Sequence, residues 1–247
     1  LYTGLYPAEH RVERTLTYNG AVSHLETPLD PALPNLASIL GAAGYDVVLK
    51  GKWHLSKHAD GGPPDAADVA AFGFTGWDPT TAGEGAAPDD FGGGCAAWDA
   101  AIVDDAVGFL AGRSPSDPPF ALVVSLANPH DVLSYPRTWD QVEPGGCDNY
   151  ASTADFDLGI QLPPSFFSDD LSTKPTCQAQ SLQLYAAGLG ALATHQQRLD
   201  YVNFYAWLQT VVDAEINRLL DALVPWQGST VVIRSSRSEE HTSELQS

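Results

Sequence analysis

Methionine is absent from all 247 residues, position 1 included. The chain opens inside a patterned segment rather than at a start, so the expectation is an internal stretch of a longer protein. A missing leader then carries no information about compartment, and cytoplasmic, periplasmic and secreted settings all stay open. Basic residues are scarce, with 12 Lys and Arg against 31 Asp and Glu and a net charge of −19. Nucleic acid is thereby excluded as a partner, because its recognition needs a basic face. The chain as a whole also repels anionic ligands, so a site for one must be locally cationic. No apolar run approaches the ~18 residues of a membrane span. Cysteine is limited to Cys95, Cys147 and Cys177, an odd set at no metal-ligand spacing. A complete disulfide framework is not indicated; pairing of Cys147 with Cys177 and simple free thiols both stay open.

What remains is globular. Hydrophobic residues make up 44% and aromatics 10%, enough at this length for one large α/β domain with a sizeable core. Leu33, Leu36, Ile39, Leu40 and Ala43 recur at helical spacing and stop at Gly44. Tyr45 to Leu49 then reads as a short buried strand between Gly44 and Gly51. Helical periodicity returns over Trp98 to Leu110, with Asp104 and Asp105 assigned to its wet side. A second buried strand is expected over Phe120 to Leu126. Leu182 to Leu223 reads as two helices separated near Gly188 and Gly190, and Thr230 to Ile233 as a third strand. Strands alternating with helices imply parallel pairing with right-handed crossovers. Leu1 to Pro7 reads as a helix end, with Pro7 preventing continuation.

In such a sheet the ligand crevice lies beyond the carboxyl ends of the strands. Lys52 and His54 follow the first strand directly, and Asn128-Pro129-His130 follows the second. Lysine offers a compact charge for an anion, and histidine a proton donor or acceptor near neutral pH. Taken alone, Lys-x-His is equally well a solvated loop with one packed Trp53. The long Gly- and Pro-rich excursion from His58 to Gly94 has no phosphate-loop spacing and reads as a flexible cover.

Four stretches in order change that balance. Gly44-Tyr45 followed by Gly51-Lys52-Trp53-His54-Leu55 resembles a motif of type I sulfatases, the alkaline-phosphatase-like sulfuric ester hydrolases. Leu1 to Pro7 is similar to the tail of their signature C/S-x-P-x-R-x-x-x-L-T-G. Phe120 to His130 is similar to their strand ending in Pro-His. Val211 to Leu223 with Thr230 to Ile233 resembles the helix and strand that lead to their late Asp-His-Gly or Asp-Asn-Gly metal motif. The resemblance covers residues 1 to 236. It implies a mostly parallel sheet sandwiched by helices, alkaline phosphatase/sulfatase-like and incomplete.

In that family a formylglycine made from Cys or Ser attacks sulfur, and a divalent cation, generally Ca2+, holds the sulfate oxygens. Carried over, Lys52 would neutralise a sulfate oxygen, His54 would assist the formylglycine hydroxyl, and His130 would protonate the leaving oxygen. Lys174, in the Pro163 to Pro175 run that looks like a substrate-facing excursion, is a further substrate-binding candidate beside Lys52 and His130. A surface lysine is its plainer reading. The nucleophile, the signature Arg, the early acidic pair and the late Asp are not matched, so the calcium ligands are missing from this chain. Arg237 stands where the late Asp belongs, and residues 237 to 247 read as a translated short-read sequencing adaptor foreign to the domain. The implied substrate is a small-molecule or glycan sulfate ester. A phosphonate or phosphate monoester hydrolase of the same fold, or a non-catalytic anion-binding module, fits the same retained residues.

The retained residues serve the sulfate and the leaving group but include no nucleophile. Residues 1 to 247 are therefore expected to give no turnover of a generic aryl sulfate with added calcium, because side chains of this kind cannot replace the attacking group. Turnover above a Lys52→Ala control would show that the chemistry is placed wrongly.

Overall fold

The computed structural model describes residues 1–18, 23–81, 96–141, 149–152 and 157–235. Seven α-helices occur among them: α1 (Pro7–His10), α2 (Leu36–Ala42), α3 (Ala66–Ala70), α4 (Trp98–Ala111), α5 (Pro164–Ser168), α6 (Thr176–Gly188) and α7 (His195–Ala222). Two strands, β1 (Asp46–Gly51) and β2 (Phe120–Ser125), form a parallel sheet in register from Asp46 opposite Phe120 to Gly51 opposite Ser125.

β1 is buried along nearly its whole length, which suits its Val47-Val48-Leu49 run. Alternation sends its side chains to two different helices. Val47 and Leu49 pack with Ala37 and Leu40 of α2, together with Ala121 and Val123 of β2. Lys50, on the opposite face, reaches Asp105 of α4 at 2.8 Å. Helices therefore cover both faces of the sheet. The long helix α7 packs along α4 and places Phe204 and Leu208, both fully buried, against Val132, Tyr135 and Tyr150. None of the described helices is long and apolar enough to cross a membrane.

Local signals explain the helix limits. Asn35 caps α2 by accepting from the main-chain N–H of Ala37 and Ser38, while Ser38 Oγ accepts from Asn35 N–H at 3.0 Å. Gly44, at φ +89°, turns the chain out of the helix region and into β1. α6 ends at Gly188 and α7 begins after the Thr194 cap, so the expected pair of helices is present.

Three expectations are corrected. Pro7 opens α1 instead of closing a helix, since a proline at the first helical position has no N–H to leave unpaired. Asp105 is not on a wet face; it is the ion-pair partner of Lys50, and only Asp104 is well exposed. Thr230 to Ile233 forms no strand among the described residues, and Val231 and Ile233 are 85% and 88% exposed. The free edge of β1 is taken by Thr75, whose N–H donates to Val47 O at 2.8 Å and whose carbonyl accepts from Leu49 N–H at 3.0 Å. An apolar run becomes a strand only where a neighbour offers backbone partners.

At the end of β1 the chain comes close to its neighbours. Gly51 has φ +89°, and a Cβ there would sit 2.2 Å from Ser125 O and 2.7 Å from Ile102 Cγ2. Gly51→Ala should lower the unfolding free energy by more than about 1 kcal/mol, through left-handed strain and backbone collision together. Gly41→Ala, in α2 with open space around the added methyl, should leave it unchanged or raise it by up to about 1 kcal/mol. Urea unfolding of the two variants checks the contrast, and equal effects would refute it.

Candidate active site

Because β1 and β2 are parallel neighbours in register, whatever follows each of them leaves the same end of the sheet. Lys52 is anchored there by its own N–H, which donates to Ser125 O at 2.8 Å. Trp53 is buried between Phe72 and Phe74, with Tyr2 completing the aromatic cluster, and its indole N–H donates to Ser56 Oγ at 2.8 Å. This packing fixes the turn on which Lys52 and His54 stand. His54 Nε2 lies 2.6 Å from Leu16 O, and the imidazole faces the Tyr18 ring at 5.4 Å between centroids.

His130 opens a 3₁₀ turn, His130–Ser134, just beyond β2. A buried polar network holds this turn. Asp99, in the first turn of α4 and 1% exposed, accepts from Ala127 N–H at 2.6 Å and from Asn128 Nδ2 at 2.8 Å. Asn128 Nδ2 also donates to the Tyr150 hydroxyl at 3.1 Å, and that hydroxyl donates to Asp131 Oδ2 at 2.6 Å. The other oxygen of Asp131 lies 3.5 Å from His130 Nδ1. The Pro-His segment is thus fixed from below by α4 and from the side by Tyr150, which itself packs edge-on against Phe204 of α7. Buried polar groups linked in this way hold one geometry, because each lost partner leaves another group unsatisfied.

Burial pushes the Asp99 carboxyl above its ordinary value, and the nearby Asp131 charge pushes the same way against the hydrogen bonds from Asn128 and Ala127. Burial likewise raises the Tyr150 hydroxyl, which stays protonated as a donor. Asp99 and Tyr150 were not among the sequence candidates. Asp99 stood on a helix beside Asp104 and Asp105 with nothing to mark it as inward-facing, and Tyr150 lies in a stretch without periodicity.

Lys174 follows a 3₁₀ turn at Leu171–Thr173 that packs on α6, and it is ion-paired with Asp169. Cys177 is exposed; Cys95, Cys147, residues 82 to 94 of the glycine-rich cover and residues 237 to 247 lie outside the described residues. A surface depression of about 300 Å³ is lined by Arg11, Glu13, Arg14, Leu25, Glu26 and Thr27, a mixed-charge rim with no convergent cationic centre.

Of the groups able to hold a metal, His58, Asp65 and Asp68 come together among the described residues. They do not fit a hard divalent ion. Asp65 Oδ1 caps α3 through Ala67 and Asp68 N–H, while Asp68 Oδ2 accepts from Asp65 N–H and meets His58 Nδ1 at 2.8 Å. Calcium takes six to eight oxygen ligands, and these carboxylates are already engaged in capping. Lys52, His54 and His130 offer nitrogen rather than oxygen. This cluster therefore does not fit a calcium ion.

Helices cover both faces of a small parallel sheet, and Lys52, His54 and His130 follow the ends of its two strands. The sequence profile of the Sulfatase family matches residues 1–237, and the chain belongs to that family. Among solved structures it is similar to a 2-O GAG sulfatase, at 20% identity and TM-score 0.56, covering 90% of this chain and 42% of that one. It is also similar to a structure from glycosaminoglycan metabolism by Bacteroides thetaiotaomicron, at 14% identity and TM-score 0.48, covering 92% of this chain and 45% of that one. The chain thus spans under half the length of the solved structures it matches. Among curated proteins no match is found.

The network under His130 has a pH signature. A raised Asp99 pKa means that the native state holds this proton more tightly than the unfolded chain does. Its contribution to stability is complete below the ordinary value of 3.8 and is lost as pH rises through the raised native value. The difference in unfolding free energy between the native sequence and Asp99→Asn should therefore fall as pH increases above 3.8. A difference that grows with pH in a urea-unfolding series would contradict this account.

Proposed function

We propose that this chain carries the sulfate-gripping and leaving-group side of a sulfuric ester hydrolase site, acting on a small-molecule or glycan sulfate ester. The observation that supports it is the in-register parallel pair β1 and β2, from whose common end Lys52, His54 and His130 all depart. In this reading the Lys52 ammonium neutralises a sulfate oxygen in a locally cationic pocket of an otherwise acidic chain. His130, with the Asp131 carboxylate 3.5 Å from its Nδ1, is oriented to give a proton to the departing oxygen. His54 takes a proton from the attacking group, which the family resemblance makes a formylglycine. The divalent ion that the family resemblance implies would add charge to hold the sulfate. Lys174 is retained as a candidate substrate contact through its place on the Pro163 to Pro175 excursion. Residues 1 to 236 form the catalytic-domain portion in this reading, and 237 to 247 stand apart from it.

The test is binding rather than turnover. Sulfate titrated into the 247-residue chain at pH 7 should shift the His54 and His130 ring signals in NMR. Lys52→Ala should weaken that binding roughly tenfold or more, the equivalent of one charge-assisted hydrogen bond. Unchanged binding in both Lys52→Ala and His130→Ala would refute the placement. Phosphate binding clearly tighter than sulfate would favour the phosphate or phosphonate ester reading on the same fold.

A further inference from the structure

The segment upstream of α2 is tied to the chain leaving β1 at His54 and again at Leu55 and Lys57. Leu16, 2% exposed, presents its main-chain oxygen 2.6 Å from His54 Nε2. Thr17, the next residue, is held by Glu26: its N–H donates to Oε2 at 2.6 Å and its hydroxyl to Oε1 at 2.9 Å. Glu26 Oε2 also takes Lys57 Nζ at 2.6 Å, and both of these side chains are 6% exposed. Lys57 Nζ donates further to Ser23 O at 2.6 Å and to Ser23 Oγ at 2.8 Å. Two residues before Lys57, the carbonyl of Leu55 accepts from Leu29 N–H at 2.8 Å.

A buried ion pair is a weak source of net stability, because desolvation offsets most of the attraction. This one is nonetheless well satisfied. Burial pushes the Glu26 carboxyl up, yet the hydrogen bonds from Lys57 and Thr17 outweigh that and hold it below the ordinary value. Such a pair is better suited to fixing register than to adding stability. What it fixes is the carbonyl of Leu16.

A carbonyl oxygen can only accept. While this contact holds, the proton sits on Nε2 of His54, and in the neutral ring Nδ1 is then the basic nitrogen. We propose that the segment from Leu16 to Glu26 is an orienting clamp, with Glu26 and Lys57 as positioning residues, that fixes His54 as the Nε2–H tautomer and assigns proton acceptance to Nδ1. Its functional meaning rests on the reading of His54 as a site residue given above; the tautomer itself does not.

The test uses the full chain labelled with ¹⁵N-histidine, with His54→Gln assigning the His54 signals among the seven histidines. At a pH where the ring is neutral, Nε2 should show the pyrrole-type shift and Nδ1 the pyridine-type shift. In the double variant Glu26→Gln with Lys57→Met, which removes both buried charges together, the tautomer ratio should fall roughly fivefold, the equivalent of one ordinary hydrogen bond. A dominant Nδ1–H tautomer in the unaltered chain, or an unchanged ratio in a folded double variant, overturns the clamp. If the double variant does not fold, the spectrum of the unaltered chain decides alone. Sulfate titration of the same sample separates the two ideas: the expected tautomer with no sulfate response at His54 keeps the clamp and removes the functional reading.

Discussion

The contact on which the rest depends is the backbone pairing of β1 with β2, and above all its last rung. Gly51 opposite Ser125 is the point where the strands approach too closely for any side chain, and Lys52 N–H closes the ladder on Ser125 O. Lys52, His54 and His130 all follow just past that rung. Because the pair is parallel, the loops after the two strands are neighbours although Lys52 and Asn128 are 76 positions apart in sequence, with α4 between them. Helix α4 contributes twice: Ile102 packs against Gly51, and Asp99 one turn earlier receives the backbone that leaves β2.

Two frames then do similar work on two histidines. Beneath His130 the frame is an uninterrupted polar chain, Asp99 to Asn128 to Tyr150 to Asp131. Around His54 it is a backbone carbonyl made immobile by a buried ion pair. In both cases the ring lies against an acceptor that is itself held by buried hydrogen bonds. This is how a side chain on a loop acquires the precision usually expected of one on a helix or strand.

Much of this was legible in the residues, because the determinants were local. Asn35 and Gly44 bracket α2, the Val47-Val48-Leu49 run marks β1, and the polar residues just beyond each strand mark the end of the sheet where a crevice belongs. Non-local determinants were illegible. Thr230 to Ile233 has the composition of a strand, but strand formation needs a partner edge, and β1 already has Thr75 on that side. Asp105 sits beside Asp104 in a helix, and only the reach of Lys50 across the sheet decides which of the two is buried. Asp99, Tyr150 and Glu26 owe their roles to contacts 9 to 31 residues away, which no spacing rule encodes.

The exposed run Val231, Val232 and Ile233 bears on how these molecules behave toward one another. Exposed apolar β-branched residues in extended chain are a template for association between chains. Against this stands a net charge of −19, which makes any two copies repel at a distance. The two influences differ in range: the repulsion is screened beyond about 10 Å at 0.1 M salt, whereas the apolar attraction acts at contact and is strengthened by salts such as sulfate. Colloidal stability in this protein is therefore an electrostatic property, greatest in dilute buffer. A high-sulfate solution is therefore the medium that brings the chains together.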